Sequence, residues 1–190
     1  MKPSGSYRIL IAPIGEFNPE LVEAVGREVQ RVFRAQVEMG PLLSDLSFAF
    51  DAGRSQYHST PILQRLAEAS PPDALKVIAL TEVDLFIPIL THVYGEAQLG
   101  GKACIVSTYR LDSGPEILHH PDVFLDRMIK EAIHELGHTF KLRHCPDAAC
   151  IMHYCRSEAD VDRKSKDLCR YCRIMVDDEL KRIEKSILTK

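Results

Sequence analysis

The sequence predicts an α/β (α+β) fold, and three observations carry that prediction. Short apolar runs that read as buried strands recur between residues 7 and 108. Segments between them place apolar residues at helical spacing, so strand and helix alternate toward a mixed twisted sheet. A longer amphipathic segment then follows and carries a histidine cluster. Hydrophobic content of 45% and charged content of 27% suit an ordinary globular domain, and 190 residues suffice for a real core, open to division into two lobes.

Tyr7 to Ile14 is a compact apolar run closed by Pro13 and Gly15, and reads as the first strand. Asn18-Pro19-Glu20 predicts a helix start, because Asn can cap, Pro fits the first turn and the acid complements the helix N-terminus. Leu21, Val22, Val25, Val29, Val32 and Phe33 continue that helix to about Ala35. A second helix is predicted from Thr60 or Pro61 to Ala69, before Pro71-Pro72. Ala74 to Thr81 and Ala103 to Thr108 read as buried strands, and Val93 to Leu99 as an edge strand. Gly95, Gly100 and Gly101 lack the spacing of a dinucleotide or phosphate loop and read as a turn.

The next helix is predicted to start near Pro121-Asp122. Leu125, Met128, Ile129, Ala132, Leu136 and Phe140 form its apolar stripe. At about 100° per residue, His134 and His138 fall on the opposite side. Four residues apart, they stack on one face and can reach one zinc ion. Glu135 lies on the flank of that face, placed to take a proton from the attacking water without ligating the metal. His144, reached by a sharp turn after Phe140, can be the third ligand and leaves a fourth position open for water.

The six cysteines are Cys104, Cys145, Cys150, Cys155, Cys169 and Cys172, and five of them lie in the last 46 residues. With no secretion signal visible, that clustering reads as metal binding rather than cross-linking. Four residues separate Cys145 from Cys150 and two separate Cys169 from Cys172, which suits a closed four-thiolate zinc. Cys150 and Cys155 share the same count of four, but the adjacency of Cys145 to His144 favours Cys145. Cys155 and Cys104 are then free.

The run from His134 through His144-Cys145 to Cys150, Met152, Cys169 and Cys172 resembles the archaemetzincins, a branch of the metzincin zinc metalloproteases. The close match covers about 40 residues; the preceding lobe, with Gly100-Gly101 and Ser107 to Leu111, fits more loosely. The resemblance implies a metzincin-like zincin with a sheet lobe, an active-site helix and a small zinc-stapled C-terminal lobe. Residues 1–144 would form the catalytic lobe and 145–190 the smaller one. It implies His134, His138 and His144 as ligands of a catalytic zinc and Glu135 as general base. It assigns Cys145, Cys150, Cys169 and Cys172 to a structural zinc, hence two Zn2+ per chain. Met152 would form the tight turn beneath the catalytic metal. Ile151-Met152-His153-Tyr154 looks like the corresponding turn in astacin-type relatives, which makes Tyr154 a candidate to steady the oxyanion. Substrate would run along the edge strand, where Glu96 could meet a peptide amine.

One position departs from the metzincin pattern, which has glycine three residues after the second histidine. Here it is Lys141. Glycine suits a helix closed by a left-handed residue. Lysine there costs roughly 1–2 kcal/mol, little beside the roughly 10–16 kcal/mol of zinc binding in small structural sites. Turned into the cleft, its ammonium could occupy substrate space.

The expected function is zinc-dependent hydrolysis of peptide bonds by an activated water, with Glu135 as base. The alternative is a zinc-stabilised peptide-binding or regulatory module whose turnover Lys141 impairs. The expected partner is a peptide or protein. A net charge of −3 gives no reason to expect nucleic acid or an anionic membrane. No stretch approaches the roughly 20 apolar residues of a membrane span, and the first apolar run is too short for a signal-peptide core, so a soluble, cytoplasmic chain is expected. Residues 156–167 read as a solvated polar loop, and Val176 to Leu188 as a terminal helix. His58 and His92 read as surface or core residues, and the His119-His120 pair as a solvent-exposed loop, with a substrate role as the alternative.

Overall fold

The computed structural model describes residues 8–113 and 122–188; the His119-His120 pair lies outside the described residues. In chain order the elements are β1 (Arg8–Ile14), α1 (Pro19–Phe33), β2 (Gln36–Met39), β3 (Phe50–Asp51), β4 (Gln56–His58) and α2 (Ser59–Ala69). They continue with β5 (Ala74–Thr81), β6 (Leu85–Phe86), β7 (Gly95–Ala97), β8 (Ala103–Ser107), α3 (Asp122–Thr139), α4 (Glu158–Arg163) and α5 (Arg170–Leu188).

The main sheet has the order β2-β1-β5-β8-β7. Its first four strands are parallel, and β7 closes the edge antiparallel to β8. Side chains alternate across this sheet as the strand period requires. Ile9, Ile11, Ile78, Leu80, Cys104 and Val106 pack with α1 and α3 on one face. Ala79, Ala103 and Ile105 pack with Ile62, Leu63 and Leu66 of α2 on the other. The result is a three-layer α/β/α arrangement, the mixed α/β class that the alternation predicts. A small sheet of β3, β4 and β6 extends the α2 side.

The predicted starts and stops hold in outline. Asn18 caps α1, its side chain accepting the Glu20 N–H at 2.9 Å, and Arg34 ends it in the left-handed region at φ 52°. Strand β5 has the bounds read from the sequence. Three readings need correction. Gly95 lies within β7 rather than in a turn. The polar stretch 156–167 is not a solvated loop: it contains α4, whose Val161 is buried, and Lys164, which is 2% exposed. The terminal helix also begins earlier than predicted, at Arg170, so it carries Cys172.

The C-terminal segment shares the main core. Ile151, Met152, Val161, Leu168 and Val176 pack in the cluster that holds α1 and α3. No helix of the described residues is long and apolar enough to cross a membrane.

Candidate active site

Helix α3 runs beneath the edge strand, and its middle is enclosed: residues 127–137 are all buried. Its stripe residues Met128, Ile129, Ala132 and Leu136 enter the core as predicted. Its charged residues are buried by the C-terminal segment. Arg127, 1% exposed, forks onto Asp162 through two hydrogen bonds of 2.8 Å and donates to the Leu111 carbonyl. Lys164 reaches Glu131 at 2.8 Å with both side chains buried. The polar residues of 156–167 are therefore the counter-charges of the active-site helix, and burial without them would be prohibitive.

His134, His138 and His144 converge so that one ring nitrogen from each lies within 4.8 Å of the others. Ring orientation follows from backbone partners. His134 Nδ1 lies 2.9 Å from the Ile151 carbonyl oxygen, and His138 Nδ1 lies 2.8 Å from that of Leu142. A carbonyl can only accept, so each Nδ1 carries the hydrogen and each Nε2 presents a lone pair. Those two Nε2 atoms face each other at 3.1 Å. Two lone pairs at that distance repel unless a cation lies between them. Two imidazoles on one tetrahedral zinc, each at about 2.0–2.1 Å, would stand roughly 3.3 Å apart. Burial lowers the proton affinity of His134, His138 and His144, which favours the neutral form that ligation needs. The donor set fits zinc.

Glu135 is buried and lines the same cleft of about 690 Å³. Burial pushes its carboxyl well above the ordinary range; Glu131 adds to this, and Lys164 opposes it. A cation at the histidines would oppose it further. The edge strand passes directly over this residue. A side chain at Gly95 would meet the Ile105 carbonyl oxygen at 2.6 Å and Glu135 Cγ at 2.7 Å. Gly137 has the same importance on the opposite side of the helix, since a Cβ there would lie 2.4 Å from Met152 Sδ. Met152 thus packs against α3 at Gly137. Gly95 and Gly137 escape sequence reasoning because close approach leaves no periodic signal.

Tyr154 is exposed at the cleft, its ring centroid 4.9 Å from that of His144. His92, read as an isolated residue, also lines the cleft, stacked edge-on to Tyr94. Glu96 lines it too, its carboxylate accepting from the hydroxyls of Ser59 and Thr60. His58 stacks on Phe86 instead. Lys141 has the left-handed backbone expected at this position, φ 67°. Its ammonium does not enter the cleft; it lies 2.7 Å from Glu179 Oε1 on α5.

The second cluster is the thiols of Cys145, Cys150, Cys169 and Cys172, all within 4.8 Å of one another. Cys145 and Cys169 are 3.8 Å apart, too far for a disulfide and the separation that two thiolates at about 2.3 Å from one tetrahedral zinc would show. Backbone N–H groups of Cys169 and Cys172 point at the sulfurs of Cys150 and Cys169. Cys104 is buried in β8, and Cys155 lines the catalytic cleft instead, so the four-cysteine set excludes both.

The family model of peptidase family M54 matches residues 7–178. The chain belongs to that family. The archaemetzincin of Methanopyrus kandleri is 40% identical over 179 residues, covering 94% of each chain. That of Halobacterium salinarum is 36% identical over 169 residues, 87% of this chain and 96% of the relative. The crystal structure of the M. kandleri archaemetzincin matches with a TM-score of 0.84 at 32% identity, over 95% of this chain and 99% of the other. A zinc-dependent peptidase from Methanocorpusculum labreanum matches at 0.78 and 28% identity, over 88% and 99%. This M54 peptidase is accordingly a metalloprotease with the archaemetzincin fold, as the resemblance implies.

Proposed function

We propose that this M54 peptidase hydrolyses peptide bonds with zinc held by His134, His138 and His144 and with Glu135 as general base. The observation that carries the reading is the pair of Nε2 lone pairs 3.1 Å apart, beside a buried carboxylate. A bound zinc supplies Lewis acidity, polarising the scissile carbonyl and making water easier to deprotonate. Glu135 takes the proton of the attacking water and delivers it to the leaving amine, a task suited to a carboxyl whose proton affinity burial has raised. The Tyr154 hydroxyl steadies the developing oxyanion from the cleft wall. Substrate lies extended along β7, which offers its outer backbone groups, and the absence of a side chain at Gly95 lets that strand approach Glu135.

A second zinc at Cys145, Cys150, Cys169 and Cys172 would staple the segment 145–190, which supplies all four ligands, giving two per chain. The six free thiols suit a reducing, cytoplasmic setting. The alternative of a binding module with impaired turnover rested on Lys141, and its pairing with Glu179 gives that alternative no support.

The test is a peptide library read by mass spectrometry, with zinc-loaded protein and its Glu135→Gln variant. Cleavage by the first and not the second is expected, with two zincs per chain by elemental analysis. Equal cleavage by both would remove Glu135 from the mechanism, and a single zinc per chain would remove the second site.

A further inference from the structure

Charges in the cleft divide into those already partnered and those still open. Glu96 accepts from Ser59 and Thr60, Glu131 is paired with Lys164, and Glu135 is the proposed base. Arg143 and Arg156 line the same cleft, both exposed, and neither guanidinium pairs with a carboxylate among the described residues, although the Arg156 backbone N–H donates to Asp160 Oδ2 at 3.0 Å. The formal charges lining the cleft balance, Glu96, Glu131 and Glu135 against Lys164, Arg143 and Arg156, so what the two arginines offer is guanidinium donors without a carboxylate partner.

Their positions tie them to the reacting bond. Arg143 immediately precedes His144. The Arg156 guanidinium stands 6.0 Å from the Tyr154 ring centroid, which in turn is 4.9 Å from the His144 ring. An extended peptide advances about 3.3 Å per residue, so a carboxylate about three residues or fewer from the scissile bond can reach this guanidinium. Arginine presents a planar fork that matches a carboxylate through two parallel hydrogen bonds. Charge complementarity of this kind sets partner choice more than raw affinity.

We propose that Arg143 and Arg156 form a carboxylate-binding subsite that directs this enzyme to acidic peptides. The carboxylate is a Glu or Asp side chain, or the substrate's own C-terminus, about three residues or fewer from the cleaved bond. This inference rests on the peptidase reading above, and binding rather than turnover tests it.

The experiment uses the full-length, zinc-loaded Glu135→Gln protein, which would retain the cleft but not the base. Fluorescent peptides of one length carry Glu, Gln or Lys at the positions flanking the scissile bond, each with a free or an amidated C-terminus, and anisotropy gives their dissociation constants. An amidated Glu peptide that binds about tenfold more tightly than its Gln counterpart, with the gap shrinking as salt rises, assigns the subsite to a side chain. A gap that appears only between free and amidated C-termini assigns it to the terminal carboxylate. Arg143→Gln and Arg156→Gln should each narrow the gap several-fold, and Arg156→Glu should turn the preference toward Lys peptides while zinc content stays unchanged. A gain of Lys binding cannot come from misfolding. Equal binding of charged and neutral peptides, a preference that survives loss of both arginines, or no binding of any peptide would each overturn the proposal. Failure of the peptidase reading appears separately, as protein with intact Glu135 that binds acidic peptides and leaves them uncut.

Discussion

Lys141 occupies a position where the backbone and the side chain can be tested apart. At φ 67° a non-glycine residue carries strain of roughly 1–2 kcal/mol. Glycine would relieve it, while the extra freedom of glycine in the unfolded chain returns roughly 0.5–1 kcal/mol of that gain. Either Lys141→Gly or Lys141→Ala removes the ion pair to Glu179, whose lysine is 56% exposed, at a cost of about 0–1 kcal/mol. Lys141→Gly should therefore lie within about 1 kcal/mol of the unsubstituted protein. Lys141→Ala keeps the strain and loses the pair, so it should fall below the glycine variant by about 0.5–1 kcal/mol. For a chain of this length that gap is about 1–4 °C in Tm by calorimetry on the zinc-loaded protein. Because the ammonium faces α5 and not the cleft, peptide turnover should change little in either variant. Equal melting of the two variants would mean that the left-handed backbone is not strained. A several-hundred-fold gain of activity in Lys141→Gly would mean that lysine is an inactivating change, contrary to its placement here.

Gly137→Ala forces a methyl against Met152 Sδ, and should lower Tm and zinc retention together, measured by melting and elemental analysis; unchanged values would refute the close packing. Lys164→Met strands Glu131 as a buried unpaired carboxylate and should cost about 3–5 kcal/mol by urea unfolding, with most of the loss recovered in the Glu131→Leu/Lys164→Met double variant. Cys172→Ser should remove one zinc and also weaken retention of the other, followed by competition with a chelating dye. Full retention of the remaining zinc would show that the two metal sites are independent.

Local signals made much of this molecule legible. His134, Glu135 and His138 state their geometry through helical spacing alone, and the parallel strands β1, β5 and β8 announce themselves as apolar runs buried on both faces, whereas the exposed β2 does not. Asn18 and Pro19 fix a helix start by the same local chemistry. What escaped depends on partners distant in sequence. Arg127 and Glu131 count as solvent-facing in any pattern of hydrophobicity, yet they are buried because Asp162 and Lys164 return to them more than 30 residues later. Strands β3, β4 and β6 are only two or three residues long and exist through pairing across the chain, too short for a period to register. Arg143 and Arg156 read as ordinary surface charges until the fold places both at the cleft.

The spacing of the histidine motif supplies only part of the metal site. A helix puts His134 and His138 on one face, but it does not decide which nitrogen of each ring is free. For His134 that choice is made by the Ile151 carbonyl, 17 residues further along. Ile151 is held in turn by its own N–H to the Asp167 carbonyl, and Met152 by its carbonyl to the Cys145 N–H. Both of these flank the four-cysteine cluster: Cys145 belongs to it, and Asp167 lies two residues before Cys169. Lone-pair direction at the catalytic centre thus depends on the turn that the cysteine site fastens. It follows that residues 1–144 alone contain all three histidines and yet lack the carbonyl that orients His134, so the segment 145–190 is part of the active site as much as a lobe beside it.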